Sequence, residues 1–344
     1  MKKNTVLYIV VFIALAVTAI ILVLKHTQST LPPALTDFGL DDTASVTKIV
    51  LRDHFKNVTT LERKGRGYWM VNEKYKANQE NIDMILNTIK EVKVKSPIPI
   101  PARDNVIKDL ATNGIKTDIY SGNKLVKSYY VGSPTPDDLG TLMLLQGSSQ
   151  PYIAYIPGWN GYLTPRYMVR LRDWRSPEIY HLNPSDISEV KVEYFSNESQ
   201  SFMLKVGPST SSGTGQFVLF RLGDSTKPMA NVNPLLAKKY LSGFRDINFE
   251  VFANFTPYKV DSLLKTTPYA KIDLACGGKT YPSLILYAKT ADESTKGIDK
   301  NNMDLDRFYG IIGNNSKELV MIQTHMVGKL LAVYNDLAKG KGSL

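Results

Sequence analysis

Cysteine is almost missing from these 344 residues: Cys276 is the only one. No internal disulfide can form, so any domains are held by their cores even in an oxidising compartment. Cys276 sits in the apolar run Lys271–Gly278 without a cationic neighbour in sequence, and reads as a small buried filler rather than a reactive thiol. Histidine is scarce as well. His26, His54, His181 and His325 show no metal-ligand spacing and no pairing with a nucleophile. Long low-complexity tracts are absent, which leaves the composition of a folded protein.

Charge is missing altogether from Val6–Leu24. A bilayer core about 30 Å thick needs roughly 20 apolar residues in one helix, so this run predicts a membrane anchor. Lys2 and Lys3 precede it, while Asp37, Asp41 and Asp42 follow and Lys25 is the only lysine or arginine before Lys48. That asymmetry predicts a cytoplasmic tip (1–4), an anchor (5–25) and a main domain on the far side of the membrane. A cleaved signal peptide is the rival, because Ala16 to Ala19 has the small-residue look of a cleavage site. Ile20–Leu24 continues the apolar run past that point and favours the anchor. A lipoprotein is excluded, since its anchor needs a cysteine just after the run and the only one is Cys276.

Lysine and arginine outnumber aspartate and glutamate by 42 to 32. The resulting net charge of +10 suits acidic partners: phospholipid headgroups, anionic glycans or an acidic protein, with nucleic acid set aside by the topology.

Beyond a stalk (26–45) with Pro32 and Pro33, one pattern is written twice. Val46–Arg52 and Ile187–Tyr194 alternate apolar and polar residues as half-buried strands do. Thr59–Lys64 leading to Gly67–Val71 is matched by Phe202–Val206 leading to Gln216–Leu222, with the loop-like insertion Gly207–Gly215 between them. Asn78 can cap a helix burying Ile82, Ile85, Leu86 and Ile89. Asn231 precedes a second helix with Leu235, Leu236, Leu241 and Phe244. Shorter helices follow around Leu110 and Leu263. Hairpins turn at Gly122 and Gly277, and each unit closes with a further strand pair around Gly147 or Gly313. The expected fold class is α+β: a transmembrane helix, then two tandem repeats of an antiparallel-sheet unit with two short helices each. The units are 46–160 and 186–335, joined by a connector (161–185) and followed by a flexible tail (336–344).

The chain resembles the bacterial family of uncharacterised domains called DUF4340. The strand beginning at Ile49, the Gly67–Val71 strand, the Asn78–Lys93 helix and the Asp173-Trp174-Arg175 segment carry the resemblance, which extends over nearly all of the chain outside the anchor. It implies a single-pass protein of the bacterial inner membrane with a periplasmic main domain, in company with ABC-transporter-like, secretion or gliding-motility systems. It supplies no catalytic residues.

Chemistry-bearing motifs are few. Gly277-Gly-Lys-Thr280 lacks the first glycine of a phosphate loop, since Asp273 stands there, and it falls in a hairpin. Ser262-Leu-Leu-Lys265 has the Ser-x-x-Lys form of acyl-enzyme hydrolases without the accompanying Lys-Thr-Gly. Asp299, Asn301, Asp304 and Asp306 invite a calcium reading, but Met303 stands where an oxygen ligand is wanted. No catalytic, cofactor or metal residues are nominated, and the expectation is a non-enzyme; an envelope hydrolase with a site assembled across the two units is the third reading.

The connector stands apart. Tyr162, Arg166, Tyr167, Arg170, Arg172, Trp174 and Arg175 mix arginines with aromatics and contain no lysine. Guanidinium forks suit carboxylate, phosphate or aromatic faces. These residues are the expected site for a protein subunit of an envelope complex or for an anionic glycan or lipid. The alternative is an internal clamp by ion pairs and cation–π contacts. A helical Arg166–Arg172 would place Arg166 and Arg170 on one face.

Overall fold

The computed structural model describes residues 13, 15–18, 37–65, 67–209, 215–229, 232–253, 257–293, 295–313 and 318–339. Apart from residues 13 and 15–18, the run expected to form the anchor lies outside them, as do most of the stalk and the end of the tail. Among the described residues no helix is long and apolar enough to cross a membrane. The fold is mixed α+β, its strand pairings all antiparallel, and the chain divides into two units, Met1–Ser176 and Pro177–Leu344.

Unit 1 runs β1 (Lys48–Arg52), β2 (Val58–Gly65), β3 (Tyr68–Val71), β4 (Tyr75–Lys76), α1 (Gln79–Glu91), β5 (Lys93–Pro97), α2 (Ile100–Asn113), β6 (Ile115–Ser121), β7 (Lys124–Pro134), β8 (Thr141–Leu145) and β9 (Tyr152–Tyr155), then α3 (Leu171–Trp174). Its nine-stranded sheet has the order β4-β3-β2-β1-β6-β7-β8-β9-β5. Period-two alternation sends Ile49, Leu51, Leu61, Ile119, Tyr129 and Val131 to one face, where Ile82, Ile85 and Ile89 of α1 meet them in the core. Asn78 caps α1 by accepting the Glu80 N–H at 3.0 Å.

Unit 2 runs β10 (Glu178–Tyr180), β11 (Ile187–Tyr194), β12 (Phe202–Ser209), β13 (Gly215–Arg221), β14 (Asp224–Met229), α4 (Pro234–Ser242), β15 (Ile247–Asn248), β16 (Val251–Phe252), α5 (Pro257–Leu263), β17 (Ala270–Cys276), β18 (Lys279–Thr290), β19 (Met303–Ile312), β20 (Leu319–Gln323), α6 (Thr324–Val327) and α7 (Tyr334–Lys339). Its sheet order is β14-β13-β12-β11-β17-β18-β19-β20-β16, with β10 and β15 paired separately. Position by position this is the order of unit 1, so the element order read from the sequence corresponds to one topology used twice.

Side-chain chemistry repeats at the same register. Ser128 donates to Asp118 at 2.6 Å across β6 and β7, and Ser283 donates to Asp273 across β17 and β18. Taking these serines as equivalent brings Thr135-x-Asp137 onto Thr290-x-Asp292 at the ends of β7 and β18 themselves. Both central hairpins turn on a glycine in the left-handed region, Gly122 (φ 58°) and Gly277 (φ 58°).

Three details differ from expectation. The cap of α4 is Asn233, whose side chain accepts the Leu235 N–H at 2.9 Å; Asn231 lies outside the described residues. The strand β12 runs on to Ser209, into the stretch read as a loop, because the β12–β13 ladder continues past a bulge to pair Ser209 with Gly215. The tail expected to start at Asp336 starts inside α7, where Leu337 is fully buried in the unit 2 core.

Candidate functional site

The backbone separates the connector residues that the sequence groups into one patch. Thr164–Arg166 is a 3-10 turn and α3 begins only at Leu171, so Arg166 and Arg170 share no helical face. Tyr167 and Trp174 are fully buried in the unit 1 core. The Trp174 indole N–H donates to the Met168 carbonyl at 2.7 Å. Tyr167 and Tyr129 join their hydroxyls at 3.1 Å, and burial pushes the Tyr167 phenol up to about 12. The Arg166 guanidinium lies 4.3 Å from the Trp159 ring centre and donates to Thr88 at 3.2 Å. Arg175 lies 3.8 Å from the ring centre of Tyr75.

Backbone bonds from Asn78 to Trp174 and from Ser176 to Lys76 stitch the same stretch to α1 and β4. Tyr162 is half-buried. Arg170 and Arg172 stay exposed, both facing Asp173, at 3.7 and 3.8 Å. Thus most of this segment clamps unit 1 to itself, and two arginines remain for solution.

The repeated topology shows where the units part company. In unit 1 the outer side of the sheet is covered by α2, fourteen residues long, with Leu110 fully buried. A Cβ on Gly132 of β7 would lie 2.4 Å from the Leu110 side chain, so the bare glycine admits the helix. In unit 2 the corresponding helix, α5, is seven residues long, and Tyr287 stands at the position of Gly132. Ala253, Val260, Tyr287, Ile311 and Leu319 make a small second core under it, on the face opposite Leu284 and Leu286. Beside that core a cleft of about 410 Å³ opens, lined by Ser262, Leu263, Thr266, Thr290, Ala291, Asp292, Tyr309 and Leu319. It falls in the size range of small-ligand and side-chain pockets.

One wall of the cleft is backed by a buried ion cluster. Lys289 is 1% exposed, with its ammonium 3.0 Å from Asp304 and 2.7 Å from Asp292. Burial opposes its charge, but the bonds to Asp292 and Asp304 outweigh it and raise the Lys289 pKa above the ordinary value. For Asp304, burial pushes upward. Bonds from Lys289, the Asp306 N–H and Thr295 win and hold the carboxyl below its usual range. No sequence motif marks this cluster. Its one signal is Lys289 itself, a cation ending the apolar run Leu284–Ala288.

The remaining motifs resolve simply. Asp299 accepts the N–H groups of Asn301 and Met303, both at 2.8 Å, and Asp304 accepts those of Asp306 and Arg307. The carboxylates of the calcium-like stretch thus organise their own loop, and among the described residues no group of three metal-ligating side chains converges. Burial pushes the Cys276 thiol up, away from reactivity. A second groove, about 550 Å³, separates Asp37–Asp42 from β5 and mixes both charge signs, with Lys127 held 2.6 Å from Asp37.

The sheet edges are guarded. The outer strands β4 and β16 have two residues each. The strand β5 carries two lysines, a proline and a bulge; β14 contains Pro228, which has no N–H. Such edges discourage the addition of a partner strand.

The family model for the domain of unknown function DUF4340 matches residues 69–266, more than half of the chain. The match begins in β3 and ends just beyond α5, taking in the helix α1, the connector and the first half of unit 2. It is narrower than the resemblance read from sequence, leaving the Ile49 strand outside. No curated protein and no solved structure matches the chain.

Proposed function

The chain belongs to the DUF4340 family, and from that premise we propose that it is a non-catalytic, single-pass protein of the bacterial inner membrane whose periplasmic duplicated domain binds other subunits of an envelope complex. ABC-transporter-like, secretion and gliding-motility assemblies are the candidates that the family resemblance implies. The uncharged Val6–Leu24 run supports the anchor and its flanking charges support the orientation.

The observation that carries the binding role is the divergence of two units with one topology. Unit 1 covers its outer sheet surface with a helix of fourteen residues, whereas unit 2 lays one of seven residues there and has a cleft beside it. A duplicated fold that keeps one copy closed and opens the other gives a rigid support and a place to dock. With the strand edges guarded, contact through a face is favoured over strand addition.

The second reading, an anionic glycan or lipid held by the connector, now rests on Arg170 and Arg172 alone. Their shared Asp173 offsets part of the charge such a ligand would need.

The test is capture of the tagged full-length protein from native membranes in mild detergent, with mass spectrometry of what is retained. Stoichiometric membrane subunits retained at moderate salt are expected. A lone protein at low salt would overturn the assembly reading. Binding to anionic vesicles that is lost in Arg170→Glu/Arg172→Glu would put the second reading in its place.

A further inference from the structure

We infer that unit 1 rests on the bilayer through the turn between β1 and β2, with the ring of Phe55 entering the headgroup boundary and Lys56, Arg170 and Arg172 meeting lipid phosphates. This contact rests on the anchor in the reading above and goes beyond it by adding a second hold on the membrane.

The turn is built to hold an aromatic ring outward. The Asp53 carboxylate accepts the Asn57 N–H at 2.9 Å and the Asn57 side-chain amide at 2.8 Å, and the Asp53 N–H donates back to the Asn57 carbonyl at 3.2 Å. Lys56 completes the turn in the left-handed region (φ 66°). Phe55 at the tip is 74% exposed, with His54 stacked on its ring at 3.6 Å, and Val58 just beyond is 46% exposed. A stiff turn that holds a ring in water keeps its apolar area available to another phase.

The surroundings decide what takes that ring. Thr59, near the start of β2, donates to the Val169 carbonyl at 2.6 Å, which sets Arg170 and Arg172 beside the same turn. Asn72, bonded to Thr60 in both directions, brings Glu73 and Lys74 alongside, and Lys116 lies across from Arg52 on β6. Lys56, Lys74, Lys116, Arg170 and Arg172 thus face Asp53, Glu73, Asp173 and, next to Asn81, Glu80, while Arg52 and Asp118 satisfy each other. The balance is only slightly positive, so the ring carries the contact and the cations adjust it. One phenylalanine and one valine are too little apolar area for a stable protein interface, which buries about 800 Å² on each side. A bilayer asks for less, because aromatic rings and the stems of lysine and arginine settle at its headgroup level.

The tether makes so small a contact sufficient. Asp37, whose carbonyl takes a bond from Lys127 at 2.6 Å, follows Leu24 by thirteen residues, a span of at most about 45 Å. A compact unit of this length is roughly 35–40 Å across, so its turn end lies within reach of the surface from which the chain emerges. Contact is then intramolecular, at the high effective concentration that a short linker gives.

The experiment reconstitutes the full chain into vesicles of phosphatidylglycerol and phosphatidylethanolamine and reads tryptophan quenching by lipids brominated near the headgroup end of the acyl chain. Phe55→Trp keeps an aromatic ring at the tip. Above the background of the three native tryptophans, it is expected to be quenched at least about twofold more than Leu125→Trp, on the hairpin at the opposite end of the sheet. Adding Arg170→Glu/Arg172→Glu to Phe55→Trp, or using phosphatidylcholine alone, is expected to lower the quenching about twofold. Phe55 and Leu125 are both exposed, and thermal melts establish that each variant folds. Quenching of Phe55→Trp no greater than that of Leu125→Trp would overturn the inference and leave the turn to a protein partner. Flotation of the same vesicles after an alkaline wash separates the two readings. A chain that floats without quenching at the tip removes this contact alone, and a chain that does not float removes the anchor and the contact with it.

Discussion

Lys289 and Asp304 are the residues where local energetics and the cleft meet. The folded pKa of Asp304 is lowered, so its stabilising contribution is complete above its unfolded value and drains away as pH falls through the folded one. The Lys289 pKa is raised, so its contribution persists until pH rises through the folded value. Unit 2 should therefore lose stability on acidification below about pH 4, and Asp304→Asn should flatten part of that acid limb in denaturation curves recorded between neutral and acid pH. Lys289→Met strands a buried carboxylate and should cost about 3–5 kcal/mol, whereas Lys289→Met/Asp304→Leu should cost less than the single change, as chemical denaturation would read. In unit 1, Trp174→Ala removes a fully buried indole bonded to Met168 and should cost about 3–5 kcal/mol. Composition drew attention to the arginines and aromatics of the connector, but not to their destinations. The rings that take Arg166 and Arg175 belong to Trp159 and Tyr75, and residue type alone does not distinguish a ring of the same unit from one on a partner.

At the level of elements, local periodicity was a good guide wherever one face of a strand or helix is buried. The α1 cap at Asn78, its Ile82–Ile85–Ile89 stripe and both central hairpins could be read from the sequence, because each is set by neighbours a few residues away. The placement of β5 beside β9 and β16 beside β20 could not be read. These are long-range pairings of short strands, and no local period encodes them. The condition that Arg166–Arg172 be helical is not met, for a related reason. Tyr167 and Val169 are buried alternately, so tertiary burial, rather than a 3.6-residue stripe, sets this backbone. Gly132 gives the sharpest test of how α2 seats. Gly132→Ala places a methyl 2.4 Å from the Leu110 side chain and 3.2 Å from the Leu142 carbonyl, and should cost about 1–3 kcal/mol in urea denaturation.

For the molecule as a whole, each unit owns a separate main core, one centred on Ile49, Trp69 and Trp174, the other on Val192, Phe202 and Tyr240. Calorimetry should then resolve two transitions, and Trp174→Ala should lower one while leaving the other within about 1 °C. The sequence made the duplication visible through the order of its elements, while the cleft stayed hidden because it arises from a difference in helix length between copies. The shared topology also has a kinetic consequence. As the chain emerges during synthesis, β11 is a rival for the place of β1, and β17 for that of β6, because each rival fits the same slot in the same sheet order. Tandem copies with similar sequences are prone to trading strands and trapping one another half-formed. The slots differ in charge pattern: Arg52 on β1 meets Asp118 of β6, whereas β11 carries Lys191 and Glu193 at the places of Val50 and Arg52. Such differences between the copies should bias each strand toward its own sheet before either core has closed.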